Sequence, residues 1–159
     1  MAAYRLPMAS PRLVIGRQHQ PGAYYVITTV VADRRPRLAS PRAADMVVAQ
    51  FRLAEQESLL NSLAWVVMPD HLHWMFQLHS PGLGACMQRF KSRSARQINA
   101  LQVARGAVWQ AGYYDHRLRH DEDLLAQARY LLANPGRKGL ADAIGDYPHA
   151  WSTWGTDLA

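Results

Sequence analysis

Residues 63–79 read LAWVVMPDHLHWMFQLH. Leu63 to Met68 is an unbroken apolar run, which suits a central strand. Pro69-Asp70 is a turn signal. His71 to His79 then alternates. Leu72, Trp74, Phe76 and Leu78 fall on one face; His71, His73, Met75, Gln77 and His79 fall on the other. Two strands joined so tightly pair as an antiparallel hairpin. One face is apolar enough for a core, and the other carries imidazoles.

The flanking chain supplies the rest of the sheet. Tyr24 to Ala32 (YYVITTVVA) is rich in β-branched and aromatic residues and reads as a strand. Ser40-Pro41 signals a helix start, a hydroxyl cap before a proline at the first helical position. That helix is expected to run to about Leu60, with Val47, Val48, Phe51 and Ala54 on its apolar face. After the Pro81-Gly82 break, residues 83–104 show helical spacing, with Leu83, Met87, Phe90, Ile98 and Leu101 as candidate core positions. Trp109 to Arg119 reads as a loop and an edge strand. Asp121 is expected to open another helix, with Asp121, Glu122 and Asp123 in its first turn, and Pro135 ends it by Asn134.

The order is β-α-β-β-α-β plus a further helix. That is the split βαβ, or ferredoxin-like, pattern, and places the chain in the α+β class with an antiparallel sheet. At 159 residues we expect one domain spanning 1–159, with residues 1–21 as an irregular arm and 141–159 as an aromatic tail packed back on it. A fold of this kind hosts many functions, so function must come from the residues.

Hydrophobic content of 49% is enough for a core, and the formal net charge is +6, nearly all of the positive charge being arginine. Arginine's planar fork suits phosphate, so a polyanion, nucleic acid before membrane, is the expected partner. Cys86 is the single cysteine, which excludes an internal disulfide and a cysteine-based zinc site. The chain shows no signal peptide and no apolar run of the roughly 20 residues that span a bilayer. The cytoplasm, in association with the nucleoid, is the expected location.

Three features can carry chemistry. His71 and His73 lie two apart on a strand, so their imidazoles can converge on one metal ion while Leu72 points into the core. Isolated pairs of this kind are also common as plain exposed histidines. Tyr130 falls nearly opposite the stripe Leu124, Leu125, Ala128, Leu131 and Leu132, in the angular company of Asp123, Gln127 and Asn134. A phenol has an unperturbed pKa of about 10 and needs a metal or base beside it to act as a nucleophile. Asn134 ends the helix before Pro135, and it also offers an oxygen ligand one turn from Tyr130. Two imidazoles alone would equally suit zinc or another transition metal.

The third feature is basic and aromatic. Arg89, Lys91, Arg93 and Arg96 crowd the second helix, Arg117 and Arg119 flank the edge strand, and Arg137 and Lys138 follow the tyrosine helix. Such charges can track a phosphate backbone. Trp109, Tyr113 and Tyr114 are candidates for stacking on unpaired bases.

Together, WVVMPDHLHWMFQL, MQRFKSRSARQIN, VWQAGYYDHRLRHDEDLLAQARYLLANPGRKGL and DYPHAWSTW resemble the REP-associated tyrosine transposases, which are single-tyrosine HUH transposases. The resemblance runs from about Pro11 to Trp154. It implies an HUH-type sheet, with His71 and His73 as the HUH pair and Leu72 as its hydrophobic residue. It implies Tyr130 as the nucleophile and Asn134 as the third metal ligand; Asp123 and Gln127, grouped with Tyr130 by helical angle, are candidates to support the site from behind the ligands. The ion implied is Mg²⁺ or Mn²⁺. The substrate implied is single-stranded or hairpin DNA at repetitive extragenic palindromes, cut and rejoined through a 5′-phosphotyrosine. A non-cleaving hairpin-binding protein and a metal phosphoesterase using water are the alternatives. Monomer and homodimer both stay open, and with them whether Tyr130 serves its own His pair or a partner's.

Overall fold

The computed structural model describes residues 20–80, 82–119, 123–156 and 158. Most of the N-terminal arm, Pro81, and Asp121 with Glu122 therefore lie outside the described residues. Strands β1 (Tyr24–Val30), β2 (Leu60–Val67), β3 (His71–Leu78), β4 (Tyr114–Leu118) and β5 (Ala150–Ser152) form one sheet in the order β4-β1-β3-β2-β5. Every pairing is antiparallel. Helices α1 (Pro41–Gln56), α2 (Leu83–Gln102), α3 (Leu124–Leu132) and the short α4 (Asn134–Arg137) complete the fold. The first four strands and α1 and α2 are the expected ferredoxin-like unit. The tail adds β5, which the sequence reading did not foresee as a strand.

The alternation in β3 sorts the molecule into two layers. Leu72, Trp74, Phe76 and Leu78 join Val47 and Phe51 of α1 and Leu83, Met87, Phe90 and Ile98 of α2 in one core. Met75 lies in a second core on the opposite face, with Val26, Val66, Leu118 and the α3 residues Ala128, Leu131 and Leu132. Phe51 anchors the first core, its ring centroid 4.4 Å from that of Trp74 and 5.5 Å from that of Phe90.

Three boundaries differ from expectation. Helix α1 stops at Gln56, because Ser58 turns left-handed (φ 58°) and Leu60 enters β2 opposite Leu78. β2 accordingly starts before the apolar run, and a register shift between Ser62 and Ala64 accommodates it. Asp123 is not inside α3 but caps it, accepting from Leu125 N at 2.9 Å. A carboxylate that accepts a backbone N–H at the cap has extended backbone angles, which keeps it out of the helix. Among the described residues, no helix is long and apolar enough to cross a membrane.

Candidate active site

His71 and His73 sit at the start of β3, which lies between β1 and β2, and their rings face the α3 side with centroids 5.0 Å apart. Leu72 between them is fully buried in the opposite core. Asp70 Oδ1 lies 2.7 Å from His71 Nδ1. A carboxylate only accepts, so Nδ1 carries the proton and Nε2 presents its lone pair. Burial pushes the Asp70 carboxyl up, but the His71 hydrogen bond, the His71 charge and Arg34 outweigh it and hold the group below its ordinary value. On β1, Thr28 stands directly opposite His73, and its hydroxyl lies 2.8 Å from His73 Nδ1. Burial, then the charges of His71 and Arg137, push His73 down to about 3. A neutral imidazole is the form that binds a metal.

The tyrosine arrives from α3. Tyr130, Gln127 and Leu131 line one narrow pocket with His73, Val26 and Arg137. Helical spacing puts Gln127 and Tyr130 three residues apart on the face that meets the sheet's imidazoles. Pro135 ends α3, and the next turn carries Asn134 back under the sheet, where it is 6% exposed. Asn134 Nδ2 donates to His71 Nε2 at 3.2 Å. Arg137 holds the group together: its guanidinium lies 4.1 Å over the Tyr130 ring, and Nη2 donates to Tyr130 O at 2.9 Å and to Asn134 Oδ1 at 3.4 Å.

This donor set fits a divalent ion. Each imidazole meets a neighbour through Nδ1, Asp70 or Thr28, so Nε2 is the ring nitrogen that each histidine has left to offer an ion. Among the described residues no three His, Cys, Asp or Glu side chains are placed to hold a metal ion together, so a third protein ligand here would be the Asn134 amide oxygen. Two imidazoles, one amide oxygen and open positions suit an ion that also takes phosphate oxygens.

Not every sequence candidate reaches this site. Asp123 is an exposed helix cap. Helix α2 lies on the other side of the sheet from the imidazoles. Of its cations, Arg89 and Arg93 pair with Glu57 at 2.8 and 2.6 Å, and Lys91 donates to Gln110 O and Gly112 O, both at 2.7 Å, while Arg96 is exposed. Trp109 is no platform for a base: it is 6% exposed, packs near Phe90, and donates its indole N–H to Ser94 Oγ at 3.0 Å. Arg117 and Arg119 line a cleft with Tyr24, at the far end of β1 from Thr28. Tyr114 pairs with Thr28 across the sheet and so shares the imidazole face. Lys138 is exposed beside His71, in a separate cleft. The roles of Thr28, Asp70 and Arg34 escaped the sequence reading. Asp70 was adjacent to the pair, but Thr28 became legible only through the β1–β3 register.

Comparison with known proteins identifies the family and the fold. Residues 19–131 match the family model described as Transposase IS200 like, a span that includes His71, His73 and Tyr130. A Haemophilus influenzae protein provisionally assigned as a REP-associated tyrosine transposase is 23% identical over 149 residues, covering 84% of this chain and 82% of its own. The REP-associated tyrosine transposase of Escherichia coli is 23% identical over 143 residues, covering 90% of this chain and 83% of its own. A solved REP-associated tyrosine transposase bound to a REP hairpin shares the fold with a TM-score of 0.72 at 20% identity, covering 94% of this chain and 82% of that one.

Proposed function

This chain belongs to the IS200-like transposase family, in its REP-associated tyrosine branch, and from that premise we propose that it cuts and rejoins single-stranded DNA beside palindromic hairpins through a 5′-phosphotyrosine. The observation that carries this reading is the shared pocket of Tyr130, Gln127, Arg137 and His73, with Asn134 against His71. The solved relative's REP hairpin is the model for the substrate.

His71, His73 and Asn134 would hold Mg²⁺ or Mn²⁺. That ion supplies Lewis acidity to the scissile phosphate. The remaining work falls to side chains. Arg137, over the ring of Tyr130, fixes the phenol relative to the imidazoles. The Tyr130 oxygen attacks phosphorus and gives its proton to solvent. A tyrosine–phosphorus bond forms as the bond from phosphorus to the 3′-oxygen breaks, and that oxygen takes a proton to become a 3′-hydroxyl. Attack by another 3′-hydroxyl on the phosphotyrosine reverses the exchange and rejoins strands. Each step trades one phosphodiester for another, so no nucleotide triphosphate is consumed.

The test is incubation with labelled hairpin DNA carrying single-stranded flanks, with Mg²⁺ or Mn²⁺, read on a denaturing gel. A protein–DNA adduct lost with EDTA and in Tyr130→Phe is expected. Cut DNA without an adduct would assign the attack to water, and binding without cleavage would make the chain a hairpin-binding protein.

A further inference from the structure

A second cleft, of about 420 Å³, opens beside His71. Arg34 and Lys138 line it together with Asp70 and His71, and Pro36 and Leu140 give it an apolar wall. Its volume falls in the range of roughly 300–1,000 Å³ that holds small ligands. We propose that this cleft seats the nucleotide next to the scissile bond, with Arg34 and Lys138 holding its phosphate. The proposal rests on the reading of the chain as an enzyme of single-stranded DNA.

The local backbone argues for it. Asp33 (φ 57°) and Arg34 (φ 51°) are two successive non-glycine residues in the left-handed region. Such a conformation persists only where surroundings impose it, and it gathers at functional sites. Here the surroundings are the histidine turn itself: Val31 N donates to Asp70 O at 2.9 Å, and Arg34 N donates to Val31 O at 2.9 Å. The left-handed turn sends the Arg34 side chain to the rim of the cleft, where it is 63% exposed and only loosely paired with Asp70 Oδ2, at 3.6 Å. The His71 N–H and the nearby Arg34 engage both oxygens of Asp70, the one carboxylate among the residues that line the cleft. Lys138, at the C-cap of α4, supplies the second cation. The cleft thus shares His71 with the proposed metal site and takes Lys138 from the turn just after Asn134 and Arg137.

Binding of a single-stranded oligonucleotide with a hairpin is measured against salt in the full-length Tyr130→Phe protein, so that the strand stays intact. Each single-strand phosphate contact contributes about 0.7 to the slope of log K against log salt. The double variant Arg34→Gln/Lys138→Gln should flatten the slope by about 0.7, the contribution of one phosphate, and each single variant by part of that, while Arg34→Lys keeps it. Neutral methylphosphonates placed singly around the cut should weaken binding at one neighbouring phosphate, and that penalty should vanish in the double variant. Slopes unchanged in both variants, or a penalty that survives in the double variant, would overturn the proposal. Adduct formation by the wild-type chain is scored separately: its absence sinks the transposase reading and leaves the slopes to judge the cleft. A chain that binds no single-stranded DNA would overturn both.

Discussion

Asn134 donates its amide N–H to His71 Nε2 across 3.2 Å. The accepting atom is the lone pair that Asp70 exposes by holding the opposite ring nitrogen. The same amide therefore stands where the proposed metal site needs a ligand atom, and its oxygen is turned toward Arg137. An ion at His71 requires the amide to present its oxygen instead. Asn134→Ala should weaken Mn²⁺ binding, and Asn134→Asp, which adds charge and has no N–H to turn, should strengthen it about tenfold. Electron paramagnetic resonance titration of free Mn²⁺ reads both, and unchanged affinity in the two variants would remove Asn134 from the ligand set.

Asp70 and Thr28 orient the imidazoles without being ligands. Their loss should act through metal affinity. We expect Asp70→Ala and Thr28→Val each to weaken Mn²⁺ binding by about 10- to 100-fold, with Asp70→Asn milder because its carbonyl oxygen still accepts from Nδ1. Calorimetric titration alongside a thermal melt separates this from a general loss of fold.

Arg137 touches the phenol ring, the backbone of Tyr130 and the amide of Asn134. Arg137→Ala should slow adduct formation roughly 2- to 5-fold, in line with the loss of one exposed cation–π contact. Arg137→Lys should fall between the two. Single-turnover gels at saturating DNA distinguish this slowing from weaker binding.

How much of this was legible beforehand depended on whether the signal was local. The period of two in residues 71–79 placed Leu72 and His73 on opposite faces, and the structure keeps them there. The period of 3.6 in α3 likewise grouped Tyr130 with Gln127. What failed was the treatment of charge and aromaticity as surface by default. Trp109 is a core residue, and Arg89 and Arg93 are engaged by Glu57 from another helix end. Contacts between segments tens of residues apart leave no periodic trace. Thr28 against His73, 45 residues on, is the same case at the site itself.

The Glu57 pairing sets an acid limit. Hydrogen bonds from Arg93 and Arg89, in that order, hold the Glu57 carboxyl below its ordinary value of 4.5. A depressed carboxyl stabilises the folded chain fully above 4.5, and that contribution is lost as pH falls through the lower, folded value. Glu57→Gln should therefore lower the melting temperature at neutral pH and flatten its decline in acid. Parallel melts of the two proteins that stay the same distance apart down to about pH 3 would contradict the assignment.

Val103 ends α2 in the left-handed region (φ 51°, ψ 48°) and is 94% exposed. A β-branched residue is strained there, and its side chain contributes little packing in return. Val103→Gly should stabilise the protein by about 1 kcal/mol and raise its melting temperature by about 2–4 °C. Calorimetry tests it, and a lower melting temperature would refute it.

The two-sidedness of β3 has a consequence for how such a gene can change. A deletion or insertion of one residue in the strand would exchange its faces, sending imidazoles toward Phe51 and indole toward the tyrosine. The chemistry and the interior are written in the same reading of alternate positions. Lineages that retain the fold through this strand thus inherit the geometry of the histidine pair with it, and can lose it only by substitution.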